Sequence, residues 1–465
     1  MKLLSFIRTL IFPLLVFGLA AGGCRKAFLA QKPSTDLLVP NSLNVLQELL
    51  DNSNVMNISP ALGELSADNY YFLYDTWAGL DTKESNAYIW APDLYDGQGL
   101  VTDWDIPYQQ VFYANTVLQG LAGIPPDSTD QPEWNMLEGW ALFSRAFAFY
   151  NITQLFAKPY DSTTAATDPG IPIRLSPDIN AKTTRASMQT TYEQILSDLN
   201  LAEGLLPAAI PLSNLNRPSK LAAQALFARI YLSIGDYVDA GKYADSVLTA
   251  YSYLLDYNTP GIGGPIPFPE NVPEILYQSN FVQPGNGNIL EGLICPGCIV
   301  DTNLIASYDS KDLRRTIYYF QEGTDTFTLK GGYSGSIFPF TGLATDELYL
   351  IRAECNARAG QTTIALNDLD SLLTHRWKTG TYTPYPIKNA GEALDTILLE
   401  RRKELTFRGL RWSDLRRLNR EGWNITLYRN INGQSYSLLP SDSNLYTLAI
   451  PPDVIQFSHI QQNPR

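Results

Sequence analysis

Apolar side chains recur along this chain at helical spacing in separate blocks, and between the blocks that spacing disappears. From Trp104 onward, Tyr108, Val111, Phe112, Asn115, Val117 and Leu118 return at three- and four-residue steps. A second run at 133–156 contains ALFSRAFAFY, whose small residues permit close approach of helices. Toward the C-terminus, Leu394, Ile397, Leu398 and Leu405 form an apolar stripe on the first of two helices, which meet around Gly409. Near the other end, Ser42 is placed to cap a helix over LNVLQELLDN. These patterns predict a mostly α-helical scaffold over about 104–160, 187–250, 343–376 and 392–420.

The clearest repeat lies at 221–250. Ala228, Tyr231, Gly235, Tyr237 and Ala240 follow A-x2-Y-x3-G-x-Y-x2-A, a tetratricopeptide pattern with a small residue at the helix contact and Gly at the turn. AECNARAGQTTIA at 353–365 keeps Ala353, Gly360 and Ala365 but departs at Asn356 and Thr362. The copies are not in tandem, so the helix pairs must be interleaved with other material and a plain solenoid is excluded. The helical period fades over about 52–103, where Tyr70, Tyr71, Tyr74, Trp77, Tyr88, Trp90 and Tyr95 sit among Asp, Gly and Pro. It fades again over about 251–340, which holds short strand-like runs (EILYQSN, DTFTLK) and the rings of Tyr277, Phe281, Tyr308, Tyr318, Tyr319 and Tyr333. Long irregular segments tend to be functional surface, so both are expected to face a ligand.

The N-terminus adds an address. Lys2 and Arg8 precede a run without charge from Thr9 to Cys24, too short to span a bilayer comfortably but suited to a secretory signal. Ala21, Gly22 and Gly23 before a lone Cys24 suggest lipoprotein cleavage, although Ala21 stands where Leu is usual. Residues 1–23 then read as signal peptide, Cys24 as the acylated N-terminus, 24–40 as a lipidated tether and 41–465 as a single domain. The alternative is an ordinary signal peptide with a bystander Cys.

Composition removes several function classes. A formal charge of −13 counts against nucleic acid as a partner. His375 and His459 are the only histidines and lie far apart, which argues against a His-based metal site. Cys295 and Cys298 form a lone C-P-G-C, read as a local bridge or two idle thiols, and Cys355 reads as a small buried hydrophobe. The chain lacks G-x-S-x-G, Walker and dinucleotide fingerprints, so neither a cofactor nor catalysis is expected.

One segment is more specific than the rest. ERRKELTFRGLRWSDLRR at 400–417 resembles the C-terminal signature of the SusD/RagB-like family of outer-membrane nutrient-binding lipoproteins. WDIPYQQVFYANTVL, with Trp104, Tyr108, Ala114 and Asn115, is similar to that family's first repeat helix. The lipoprotein start, the interleaved repeats and the ending LAIPPDVIQFSHIQQNPR agree with it. The resemblance implies helix pairs on one side, a ligand surface on irregular segments, non-catalytic capture of oligosaccharides or polysaccharides, and a lipid-anchored place at the cell surface beside a SusC-like TonB-dependent outer-membrane transporter. A peptide-binding member of the same family and a protein-interaction scaffold are the alternatives. Glu400, Arg401, Arg402, Glu404, Arg411, Asp414 and Arg416 of the signature are expected to form a charge network between two helices rather than a ligand site.

A sugar ring offers C–H patches and hydroxyls, so a site for it needs flat rings with polar neighbours. The 68–90 stretch supplies Asp68, Asn69, Tyr71, Tyr74, Asp75, Trp77, Tyr88 and Trp90, and these are the expected ligand contacts together with Tyr308 and Tyr333 of the second irregular segment. Trp104, Tyr108 and Trp412 are expected to serve as scaffold.

Overall fold

The computed structural model describes residues 42–282 and 297–465. The signal peptide, the tether, Cys24 and Cys295 lie outside them. Helices of eight residues or more form where the periodicity predicts: α1 (Leu43–Leu50), α2 (Thr102–Ala122), α3 (Gln131–Phe156), α4 (Met188–Leu205), α5 (Lys220–Ile234), α6 (Tyr237–Ala250), α7 (Thr345–Arg358), α8 (Thr362–Thr374), α9 (Ala390–Glu404) and α10 (Arg411–Arg420). Side-chain caps fix several starts. Ser42, Ser187, Ser219, Asp236 and Asn389 each accept a hydrogen bond from a backbone N–H in the first turn of α1, α4, α5, α6 and α9.

The helices pack as a continuous row. α3 lies against both α2 and α4, α4 against α5, α5 against α6, α6 against α7, and α7 against α8 and α9. Both repeat turns close on glycine with positive φ, +84° at Gly235 and +75° at Gly360. Phe227 stacks on Tyr243 at 4.5 Å across the α5–α6 pair. Gly241 lets α6 approach α7 closely, since a Cβ there would lie 3.0 Å from the Cβ of Cys355. The chain is thus mostly helical, with tetratricopeptide-like pairs interleaved with other segments.

Strands are short and paired in twos among the described residues. They are β1 (Ile58–Ser59), β2 (Tyr70–Phe72), β3 (Pro169–Pro172), β4 (Arg185–Ser187), β5 (Ile275–Tyr277), β6 (Asn280–Phe281), β7 (Cys298–Val300), β8 (Tyr319–Gln321), β9 (Phe327–Leu329), β10 (Leu343–Ala344), β11 (Leu427–Ile431) and β12 (Gln434–Leu438). β1 pairs with β6 in parallel, and β2 with β7 antiparallel, so the two irregular stretches are stitched to each other. This corrects the expectation that the second stretch presents its rings outward. Tyr277, Phe281, Tyr308, Tyr318, Tyr319 and Tyr333 are all buried, because the strand pairs fold their apolar sides onto the helical row.

The 400–417 segment is the centre of a buried ionic lattice. The guanidinium of Arg314 meets Asp312 at 2.6 Å, Glu400 at 2.6 Å and Glu404 at 2.9 Å. Glu404 also holds Arg376 at 2.6 Å, and Arg376 reaches Glu274 at 3.0 Å. Lys403 bridges Glu400 and Asp312 at 2.8 and 3.2 Å. On the other side of α9, Arg401 pairs with Asp414 at 2.9 Å, and Arg417 joins Asp414 to Glu354 of α7. The network therefore extends far beyond the two helices expected to share it. Arg416 departs from it: its guanidinium donates to the carbonyls of Gln154 and Ala157 at the end of α3, and burial without a carboxylate pushes its pKa down to about 10.

Removing one partner from such a lattice strands the others without water. Glu404→Ala leaves Arg314 and Arg376 each short of a carboxylate and is expected to cost about 3–5 kcal/mol in urea unfolding. Lys242→Ala, which removes the exposed pair with Asp239, should change stability by less than about 1 kcal/mol. Equal effects of the two substitutions would contradict this account.

Candidate functional site

The first irregular stretch divides its rings between core and surface by strand alternation. In β2, Tyr70 and Phe72 point inward while Tyr71 stands 37% exposed. The chain then enters a short helix, Tyr74–Ala78, that buries none of its residues. Leu73 and Tyr74 are exposed, the latter by 48%. Trp77 is half-buried. Its ring lies 6.2 Å from that of Tyr74 at a 37° tilt, and its indole N–H donates to the Ser85 carbonyl at 3.0 Å. Asp75 is exposed beside them.

This surface is held from below. The Leu73 N–H donates to the Gly297 carbonyl at 3.0 Å, and a Cβ at Gly297 would run into the Thr76 side chain. Asp68, just before β2, accepts two bonds from Arg411 at 2.7 and 2.9 Å, and Arg402 lies 3.5 Å away. Arg402 also donates to the Asn69 side chain at 3.1 Å and to the Asp68 carbonyl at 2.8 Å. Burial disfavours charge on Asp68, but Arg411 and Arg402 more than offset it and hold the carboxyl far below the usual carboxylate range. Two arginines of the 400–417 segment therefore position the strand that carries Tyr71.

These placements set six of the expected contacts away from the open surface. Asp68 and Asn69 are committed to Arg402 and Arg411, as just described. Trp90 is 3% exposed and donates its indole N–H to the Ser66 carbonyl at 2.9 Å. Tyr88 is buried, and its hydroxyl accepts from the Phe72 N–H. With Tyr70 these two rings surround the guanidinium of Arg429 from β11, at 4.3 Å from Tyr88 and 5.0 Å from Trp90. Tyr308 is buried and donates to the Lys403 carbonyl at 2.8 Å. Tyr333 packs on Phe268 at 4.7 Å, with Arg408 over its ring. Each of the four rings among them covers a cation or fills the core. What remains outward is Tyr71, Tyr74, Asp75 and the outer edge of Trp77, joined by Leu73, which the sequence reading passed over. The signal for this split was local: alternation through Tyr70-Tyr71-Phe72 separates the buried rings from the exposed one.

The described residues hold no cluster of His, Cys, Asp and Glu able to bind a metal ion. None of their helices is long and apolar enough to cross a membrane. The signature acids Glu400 and Glu404 are both bound to Arg314, so they do not face a cleft as a free pair.

Two family models match the chain. One, described as "Starch-binding associating with outer membrane", covers residues 28–232, and the SusD family model covers residues 314–446. SusD-like protein P2 of Formosa agariphila is 25% identical over 390 residues, spanning 70% of this chain and 72% of that protein. Among solved structures, a SusD superfamily protein from Bacteroides thetaiotaomicron superposes with a TM-score of 0.71 at 23% identity, covering 91% of this chain and 100% of that one. A SusD-like carbohydrate binding protein from Bacteroides vulgatus superposes with a TM-score of 0.66 at 17% identity, covering 90% and 97%. At these identities the structural likenesses speak for the fold alone.

The division between core and surface rings is testable without a ligand. Trp90→Ala should destabilise the chain by about 3–5 kcal/mol, whereas Tyr74→Ala should stay within about 0.5 kcal/mol. Comparable losses in denaturant unfolding would contradict the assignment. Glu64, beneath this surface, gives a pH test. Burial raises its pKa from 4.5 to about 7, only partly offset by the Gly409 N–H that it accepts. A raised carboxylate stabilises the fold below its unfolded pKa, and that contribution is lost as pH rises through about 7. Glu64→Gln should therefore gain stability over the natural chain between about pH 4.5 and 7 and hold that gain above it. A difference that is flat with pH would contradict the shift.

Proposed function

The chain belongs to the SusD family, and on that premise we propose that it captures oligosaccharides or polysaccharides by contact, without altering them, and passes them to a SusC-like TonB-dependent outer-membrane transporter. The observation that carries this reading is the exposed Tyr74 ring beside the half-buried Trp77, with Tyr71 outward on the strand just before them, in a fold that packs most of its other described rings. Flat rings that lose little conformational freedom on binding suit the C–H faces of a sugar, and Asp75 beside them offers a hydroxyl an acceptor. The rigid base of Asp68, Arg402 and Arg411 supports it, because a platform ordered in advance wastes less of the contact energy. The family description, with its association with starch binding, supports a carbohydrate as the ligand class.

Residues 1–23 act in this proposal as a secretory signal, and Cys24 carries the lipid that moors the body at the outer membrane, on the cell surface. Residues 24–40 then tether the helical body to the membrane. No catalytic residue is assigned.

The test is affinity electrophoresis and calorimetry across a panel of polysaccharides and their oligosaccharides. The expected result is binding of at least one glycan, recovered at unchanged chain length, with affinity reduced at least about tenfold in Trp77→Ala. Shortening of the glycan, or full affinity in both Trp77→Ala and Tyr74→Ala, would overturn the proposal.

A further inference from the structure

A groove of about 780 Å3 runs between α2, the 172–183 segment that leads from β3 to β4, and the C-terminal helix Pro452–Ser458. None of the residues from Asp68 to Trp90 lines it, so it is separate from the aromatic patch. Its size falls within the range of small-molecule sites, about 300–1,000 Å3.

The walls are fixed from behind. The Tyr108 hydroxyl donates to the Pro172 carbonyl at 2.8 Å, and the Asn115 amide donates to the Arg174 carbonyl at 3.0 Å. Asn115 in turn accepts from Arg145 at 2.7 Å, and Arg145 is clamped in a bidentate pair by Asp198 of α4. Buried bonds therefore run from α4 through α3 and α2 to the backbone that presents Arg174. The opposite wall is tied in by Arg185 of β4, which donates to the carbonyls of Gly170 and Gln461 and to the side chain of Asn463. These bonds employ the deep polar groups of the groove and leave its outer side chains for a ligand.

Those outer groups have a distinct chemistry. Ile179 is 76% exposed and Phe457 81%, an unusual exposure for large apolar side chains that share one groove. Phe112, also exposed, lines the same groove. Arg174 donates to the carbonyl of Asp178, and among the described residues neither Arg174 nor Lys182 forms an ion pair with a carboxylate. The other titratable groups lining the groove are Tyr108, His459 and Asp453. The chain carries a formal charge of −13, yet the groove lining itself sets Arg174 and Lys182 against Asp453, with Asp105 beside Asp453 and Asp178 on the 172–183 segment at its edge.

We propose that this groove is a second saccharide site and that it selects acidic glycan: the carboxylate or sulfate of an anionic sugar pairs with Arg174 and Lys182 while its ring lies on Phe457 and Phe112. The saccharide class rests on the function proposed above; the preference for negative charge rests on the groove itself. A guanidinium and an ammonium held on one segment suit an oxyanion, and charge-assisted hydrogen bonds are the strong ones.

Calorimetry on the full-length chain tests it with four probes: hexagalacturonate, its methyl ester, a sulfated galactan oligosaccharide and the same oligosaccharide desulfated. At least one acidic probe should bind at least about tenfold more tightly than its neutral counterpart, and the one that responds assigns carboxylate or sulfate. Arg174→Ala with Lys182→Ala should abolish that preference, Phe457→Ala should weaken both members of the pair, and Trp77→Ala should leave the preference intact. Unchanged preference in the double variant, equal binding of acidic and neutral probes, or tight binding of hexaglutamate in place of every acidic sugar would overturn the inference. If neutral glycans bind through Trp77 while both acidic probes fail, the groove assignment falls and the proposed function stands. If no glycan in any panel binds, the proposed function fails first.

Discussion

Arg314 has to satisfy three carboxylates out of reach of water, and the surrounding structure is arranged to let it do so. It is fully buried, as are Asp312, Glu400 and Glu404 around it. Charges in that setting are tolerated only when each has partners at short range, because the desolvation cost is otherwise not recovered. The junction joins segments from distant parts of the chain: α9 meets Asp312 and Arg314 of the second irregular stretch and, through Glu404, Arg376 just beyond α8, which also reaches Glu274 just before β5. An apolar core would hold the same helices together, yet it would not require these particular segments to meet. The lattice specifies register as well as adhesion.

The same segment reaches the surface through Arg402 and Arg411. Their bonds to Asp68 and Asn69 place β2, and β2 decides which rings face outward. Residues that never touch a ligand in this account therefore set the geometry of those that do. The cage of Tyr70, Tyr88 and Trp90 around Arg429 follows similar logic, with rings spent on shielding a buried cation. An aromatic-rich loop in this fold is partly an electrostatic device.

Much of the scaffold was legible in the sequence because helical periodicity and caps are local properties. Ser42 caps α1, Gly235 and Gly360 close the repeat turns, and Gly409 sits at the bend between α9 and α10 with φ +72°. The charge network of the 400–417 segment was legible in kind but not in extent, since Arg314, Arg376 and Glu274 reach it from distant parts of the chain. The aromatics were the least legible. Trp77 and Trp90 stand in similar local composition, yet one edges onto the surface and the other is sealed beneath Arg429. That difference depends on β11, more than three hundred residues away in the chain. The groove beside α2 escaped notice for the same reason: its walls come from three remote segments.

The central claim is that a glycan lies on the ring surface formed by Tyr71, Tyr74 and Trp77. A crystal structure of the chain with an oligosaccharide that it binds in solution tests this most directly. The account predicts a sugar ring in van der Waals contact with the exposed edge of Trp77 and intact glycosidic bonds throughout. A ligand seated only elsewhere, with that patch bare, would contradict it.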